Sequence, residues 1–296
     1  MNLDLQGYVV CVTGGSEGIG LATAQAFAAE GANIIICARR PDKLEQAVKL
    51  IQTKIQPELG GSIEAVRCDI TKLEDINALV AHINQKYGRL DILVNNAGTG
   101  IYKPFAEVTD EELQDGMAMN FFAQFRVSQR ALPLLKASAY PSIINISGRT
   151  AIRGNFPPGS SCTGPAKAAE VRFSIDLATE LAEFGIRVNC VIPGVVKSEE
   201  RMRLWESQAA EGKWDQQSAI TKREGLESVS VARGQTWGVP ADIGNVVIFL
   251  ASPRSGYVNG ASLIVDGGPH NKSYVTQLYA DRTINNSSQH DGHQVA

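Results

Sequence analysis

The chain has 296 residues, of which 44% are hydrophobic and 20% charged, and its formal net charge is −3. This is the composition of a globular protein with a full core, and it excludes a disordered or collagen-like chain. The mild acidity gives no electrostatic basis for binding nucleic acid or an anionic membrane; no apolar run approaches the roughly 20 residues that span a bilayer; and residues 1–7 lack the basic and apolar regions of a secretory leader.

In chain order, β-branched apolar runs alternate with amphipathic stretches. The runs predict strands at residues 8–13, 33–37, 62–68, 92–95, 142–146, 187–192 and 262–265. Helices are predicted between them at 19–30, 41–55, 73–87, 110–135, 164–184 and 240–250. Each strand is almost continuously apolar, which means burial on both faces and hence a parallel sheet covered by helices. The expected fold class is α/β: a doubly wound parallel sheet of seven strands with helices on both faces. Residues 1–270 read as one domain. The polar, helix-prone stretch 197–236, with Trp205 and Trp214 in it and Trp237 at its edge, breaks the alternation after a strand end and reads as a substrate lid. Residues 271–296 read as a polar, flexible tail.

The first predicted strand runs into Thr13-Gly14-Gly15-Ser16-Glu17-Gly18-Ile19-Gly20, where a helix begins. Binding a phosphate needs close backbone approach and free N–H groups at a helix N-terminus, and Gly14, Gly18 and Gly20 permit both. In this strand–turn–helix setting the glycines point to a dinucleotide. The second predicted strand ends in Ala38-Arg39-Arg40 rather than in an acidic residue. A carboxylate there would accept hydrogen bonds from ribose hydroxyls and repel a 2′-phosphate, whereas guanidinium groups suit the phosphate. The expected cofactor is therefore NADP(H), with Arg39 as its main contact and Arg40 beside it.

The spacing Gly-x-x-x-Gly-x-Gly resembles that of the short-chain dehydrogenase/reductase family. Further family-like marks follow in order: Asp69, Asn95-Asn96-Ala97-Gly98, Asn120, the 143–147 strand, Lys167, Pro193-Gly194 and Asp266-Gly267-Gly268. The resemblance covers roughly residues 5–268 and implies a Rossmann-type oxidoreductase with a small-molecule substrate. It also implies that Ser16 and Ile19 lie in the phosphate turn and that Asp69 and Ile70 flank the adenine. Asn96, Ala97 and Gly98 would line the ribose side, and Pro193, Gly194 and Val196 the nicotinamide side.

At the catalytic position the chain departs from the family. Members carry a Tyr-x-x-x-Lys helix, in which the lysine binds the nicotinamide ribose and lowers the tyrosine pKa, and they add a serine and an asparagine that polarise the substrate and relay protons. Here Thr163 stands four residues before Lys167, on the same helix face. Asn120 matches the asparagine. Ser147 or Thr150 could fill the serine role, since many members carry that serine where this chain has Gly148. An aliphatic hydroxyl is far less acidic than a phenol of pKa about 10, so Thr163 can donate a hydrogen bond but cannot readily carry negative charge.

Three readings stay open. One is reduction of an activated C=C bond, as in enoyl- and dienoyl-thioester reductases of the family that keep the lysine beside a small residue. Another is carbonyl or imine reduction, or alcohol oxidation, with a relocated acid such as Tyr102, Thr163 through a water, Arg149 or Arg153. The third is loss of redox chemistry in favour of isomerisation, elimination, cyclisation or nucleotide sensing. Arg149 and Arg153 could also anchor an acidic substrate, or be solvated loop charges.

Five cysteines, Cys11, Cys37, Cys68, Cys162 and Cys190, form no CxxC pair, so reduced thiols and a cytoplasmic location are expected. His82, His270, His290 and His293 have no metal-site spacing, and no metal is expected. Helices 110–135 and 164–184 carry surplus apolar residues, which together with the resemblance implies a homotetramer or homodimer.

Overall fold

The computed structural model describes residues 2–154, 159–199, 202–203 and 238–267. Seven strands, β1 (Val9–Thr13), β2 (Asn33–Ala38), β3 (Ser62–Arg67), β4 (Ile92–Asn95), β5 (Ser142–Ile146), β6 (Arg187–Pro193) and β7 (Ser262–Val265), form one parallel sheet in the order β3-β2-β1-β4-β5-β6-β7. Alternate residues feed two cores, as the period of two demands. Val10, Val12, Ile34, Ile36 and Ile144 face α1 (Gly18–Ala29), α2 (Pro41–Gln52) and the helix α7 (Pro240–Ala251). Val9, Cys11, Ile35, Leu93 and Ile143 face α3 (Leu73–Tyr87), α5 (Ala123–Lys136) and α6 (Thr163–Glu180). Helix α4 (Asp110–Met117) precedes α5. The expected doubly wound fold is thus found.

The central strands are buried throughout, but the edges are not. β3 alternates half-buried and exposed residues, and Leu263 and Ile264 of β7 are exposed. The continuous apolar run of β7 therefore lacks cover on part of its surface among the described residues.

The single helix expected over residues 110–135 is interrupted. Residues Ala118–Phe122 form a π-helical turn between α4 and α5. At the centre of that turn Asn120 is fully buried and its side-chain amide donates to the Gly116 carbonyl at 2.9 Å. Such wide turns commonly mark functional positions, and the apolar periodicity across this stretch gives no sign of it. The helix expected over 164–184 ends at Glu180, and the 3₁₀ turn Ala182–Phe184 stops at Gly185 with φ +70°. The lid expected at 197–236 and the flexible tail at 271–296 lie almost wholly or wholly outside the described residues. The base of the former is defined: Lys197 N donates to Gly238 O at 2.8 Å and Gly238 N to Val195 O at 3.0 Å. The segment therefore leaves and returns at one point. Among the described residues no helix is long and apolar enough to cross a membrane.

Opposite the strand ends that carry the cleft, Asp91 ties three strands together. Its buried carboxylate accepts the Val9 N–H at 2.7 Å and the Ser138 hydroxyl, and pairs with Arg89 at 3.1 Å. Its backbone N–H donates to Val9 O and its carbonyl accepts from Ser142 N–H, both at 2.9 Å. Replacing Asp91 with Ala should strand a buried N–H and lower stability by about 2–3 kcal/mol, read as a lower denaturant midpoint at unchanged slope. Asp91→Asn should recover part of the loss; equal stability of all three proteins would contradict this role.

Candidate active site

The sheet reverses its winding between β1 and β4, and a crevice opens there at the carboxyl ends of the strands. A continuous cleft runs from Arg39 and Arg40 past Gly14, Ser16, Gly18 and Ile19, then along Ala97 and Gly98 to Lys167, Pro193, Gly194 and Val196. Cys68 and Ile70 form a wall at the Arg39 end.

The glycine turn is shaped for close approach. Gly14 and Gly18 have φ of +65° and +56°, values that favour glycine. A Cβ on Gly20 would lie 2.2 Å from the Gly14 carbonyl oxygen, so only glycine lets the helix start against the turn. Helix α1 begins at Gly18 with no side-chain cap, and its first N–H groups are therefore available to an anion.

Two side chains lock this turn to β4. The Thr13 hydroxyl accepts the N–H groups of Asn96 and Ala97 at 3.0 and 3.1 Å, and the Asn96 amide donates to the carbonyls of Thr13 and Gly14 at 3.0 and 3.1 Å. The Asn96 side chain, expected beside a ribose, is thus spent on the scaffold. Asp69, expected beside the adenine, also braces the chain: its Oδ1 accepts Thr71 N–H and hydroxyl at 3.1 and 2.7 Å. Burial acts to raise its pKa, but the two Thr71 hydrogen bonds and the charges of Arg39 and Lys72 prevail and hold it below the ordinary range. Cys68 and Ile70, on either side of it, supply the cleft wall.

At the Arg39 end the electrostatics include a residue the sequence reading passed over. Glu17, inside the glycine turn, forms ion pairs with Arg40 and, at 3.4 Å, with Lys43. Arg39, exposed at the rim of the cleft, acts on Asp69 through its charge. Three cations therefore gather at this end, two of them engaged by Glu17 and the third acting on Asp69.

At the other end lies Lys167. Its ammonium donates to the Ile146 carbonyl at 3.2 Å and to Glu170 Oε1 at 3.0 Å. A Cβ on Gly98 would stand 3.0 Å from Lys167 Nζ and 2.8 Å from Asn120 Oδ1, so the lysine, Gly98 and the asparagine meet at one point. Asn120 Oδ1 accepts the Thr99 N–H at 3.1 Å, which anchors the loop after β4. Ser147 lines the cleft but is buried, and its hydroxyl donates to the Lys167 carbonyl at 2.8 Å. Thr150, on the 3₁₀ turn Arg149–Ala151, lines the cleft, with Oγ1 3.7 Å from the position a Cβ on Gly148 would take.

Thr163 is committed too. Its hydroxyl donates to the Ile101 carbonyl at 2.8 Å and accepts the Ile101 N–H at 2.7 Å. The residue is 2% exposed, and its one proton points into the loop. Beside it, burial pushes the Cys162 thiol up, helped by the charge of Glu112, so it is no ready nucleophile. All five cysteines are free and buried. Arg149 is buried and paired with Asp266 at 3.3 Å, so it is no solvated loop charge. Tyr102 lines the cleft.

Beneath Lys167 lies a second feature the sequence reading missed. Glu170, fully buried, receives a hydrogen bond from Gln124 at 2.7 Å as well as from the lysine. The only signal available was a charged residue three places after Lys167, which reads as an ordinary polar position on a helix.

The family model described as Enoyl-(Acyl carrier protein) reductase matches residues 14–270. A tropinone reductase homolog of Arabidopsis thaliana is 33% identical over 265 residues, which are 89% of this chain and 91% of that protein. The 3-oxoacyl-(acyl-carrier-protein) reductase FabG of Thermotoga maritima is 31% identical over 264 residues, 89% of this chain and 98% of its own. Among solved structures, the L-sorbose reductase of Gluconobacter frateurii, complexed with NADPH and L-sorbose, superposes with a TM-score of 0.79 at 30% identity, covering 90% of this chain and 98% of that one.

The Thr163–Ile101 pair has a direct test. Thr163→Val keeps the shape and removes both hydrogen bonds, each worth about 1 kcal/mol. Hydrogen exchange at the Ile101 amide should quicken at least about tenfold while the amides of β1 are unchanged. Unaltered exchange at Ile101 would refute the anchoring role.

Proposed function

This chain belongs to the short-chain dehydrogenase/reductase family, and from that premise we propose that it is an NADP(H)-dependent reductase of an activated carbon–carbon double bond in a small organic substrate. The observation that carries the reading is the Thr163 hydroxyl, whose proton is given to the Ile101 carbonyl. In the family resemblance, a tyrosine at that position protonates a substrate oxygen as hydride arrives. A threonine with its proton held by a loop carbonyl does not do this.

The residues of the cleft suit a dinucleotide. The glycine turn packs against β4 and the start of α1 as no side chain would allow, and the uncapped N–H groups of α1 suit a pyrophosphate. Arg39 and Arg40 at one end offer guanidinium groups to a 2′-phosphate. Lys167, Gly98 and Asn120 meet at the other end, where the nicotinamide ribose is expected. A reduced nicotinamide, when bound, supplies hydride.

The chain's own residues do the rest. Asn120 and Thr163 fix the loop from Thr99 to Ile101 that forms one wall. The Lys167 ammonium stabilises negative charge on a carbonyl oxygen conjugated to the double bond, a type of stabilisation that is strong in a water-poor site. The proton then reaches the α-carbon from solvent, so no acid need stand at the position of Thr163. Loss of general acid catalysis costs typically 10²–10⁴-fold, while positioning of the reactants can contribute about 7–11 kcal/mol by itself.

A second reading is favoured by one observation. Tyr102 lines the same cleft, and it could protonate a carbonyl or imine in place of the missing tyrosine. The relatives whose names describe a reduction are ketone and oxoacyl reductases.

Two experiments decide. With NADPH and a panel of enones, ketones and imines, absorbance of the reduced cofactor should fall with the enones alone. Consumption with ketones or imines that Tyr102→Phe abolishes would replace the first reading by the second. Tight binding with no consumption would place the protein outside redox chemistry.

Cofactor choice is tested separately. Arg39→Ala should weaken NADPH about 10- to 100-fold, the loss of a hydrogen-bonded charge, and leave NADH unchanged. Glu17→Gln should tighten NADPH several-fold by releasing Arg40 and Lys43 from their carboxylate. Equal effects on both cofactors would defeat the assignment of the 2′-phosphate site.

A further inference from the structure

The lysine of this site has an unusual companion. Glu170 lies one helical turn beyond Lys167, with no solvent exposure, and its Oε1 accepts both the lysine ammonium at 3.0 Å and the Gln124 amide at 2.7 Å. Its other oxygen, Oε2, meets no hydrogen-bond donor among the described residues, and neither does Gln124 Oε1. Two buried acceptors without a donor in one small region are costly. A proton on the carboxyl would supply a donor.

The surroundings are otherwise neutral. Gln124 comes from α5, Ser147 from the end of β5 and Ser174 from α6 itself, where its hydroxyl donates to the Glu170 carbonyl at 2.7 Å. Among the described residues the titratable groups acting on Glu170 are Lys167 and, from β6, Cys190. Burial and the Glu170 charge push the Cys190 thiol up to about 12, so it stays protonated.

We propose that Glu170 is a positioning residue with an exchangeable proton, which fixes the Lys167 ammonium and couples the charge of the chamber to the oxidation state of the nicotinamide. Burial drives the carboxyl up, Lys167 and Ser147 draw it down, and the balance leaves it at about 7. Below that pH the pair carries the lysine's positive charge, and above it the pair is neutral overall. The oxidised ring is cationic and the reduced ring is not. A carboxylate beneath the lysine therefore favours the oxidised cofactor, and a protonated acid favours the reduced one. In an ordinary site of this family the ionisable group is the phenol; here the buried carboxyl takes over that tuning role through the lysine.

This inference rests on the nicotinamide reading above, and the test separates the two. Dissociation constants of NADP+ and NADPH are measured from pH 6 to 8.5. The 2′-phosphate, with a second pKa near 6, is common to both and cancels in their ratio. The ratio of the NADP+ to the NADPH constant should fall about three- to tenfold as pH rises through 7. In Glu170→Gln, which keeps an acceptor for Lys167 and Gln124, the ratio should be flat.

Calorimetry of the unmodified protein in two buffers of different ionisation enthalpy gives a readout that needs no variant. NADP+ binding at pH 7 should release more protons than NADPH binding. A ratio independent of pH in the unmodified protein, or equal proton release with both cofactors, overturns the inference and leaves the nicotinamide reading intact. Failure of both cofactors to bind overturns both.

Discussion

The cleft depends on the hydrogen bonds that weld the glycine turn to the end of β4. Thr13 accepts two consecutive backbone N–H groups from Asn96 and Ala97, and Asn96 answers with its side-chain amide on the carbonyls of Thr13 and Gly14. Strands β1 and β4 are neighbours in the sheet, but the chain leaves them in opposite directions. Without this reciprocal lock the crevice between the departing chains would have no fixed width. With it, a turn that carries phosphate-directed N–H groups is held at a set distance from the strand end that leads to Gly98 and the lysine. Residues that a motif reading assigns to the ligand turn out to build the walls between which a ligand is held.

The same distinction governs the reacting end. Asn120, Ser147, Thr163 and Lys167 converge as the sequence reading expected, but three of them hold backbone. Asn120 grips Thr99, Thr163 grips Ile101, and Ser147 grips the carbonyl of Lys167. The lysine lines the cleft and is hydrogen-bonded to Glu170 behind it. The Lys167–Glu170 ion pair is thus held among uncharged side chains that fix the backbone around it. A site so arranged can stabilise developing negative charge but has little means of delivering a proton from the position of Thr163, which is the physical ground for favouring a C=C bond.

Much of this was legible in the sequence because the relevant signals are local. Strand positions followed from apolar runs, and the doubly wound parallel class from their alternation with helices, although the strand order did not. The glycine turn was recognisable because close approach admits one residue type. The edge strand β7 was misjudged as fully covered because an apolar run does not report its place in the sheet. The π turn at Ala118–Phe122 was invisible because one extra residue in a turn barely disturbs helical periodicity. Glu170 and Gln124 escaped notice for a different reason. Each looks like an outward polar residue on its own helix, and only the packing of α5 against α6 reveals that they face one another in the interior.

That last case bears on the charge balance around Lys167. An ammonium as little exposed as this one would be costly if left alone, since desolvating a lone charge costs several kcal/mol. The carboxyl of Glu170 offsets that cost from below, and Gln124 donates to the same carboxyl oxygen as the lysine. Thr163 and Glu170 stand on one helix, the hydroxyl hydrogen-bonded to the backbone of Ile101 and the carboxyl, which burial drives up, one turn beyond Lys167. A carboxyl buried so close to the lysine is costly unless the two are paired, and their ion pair keeps the charge of this part of the interior balanced.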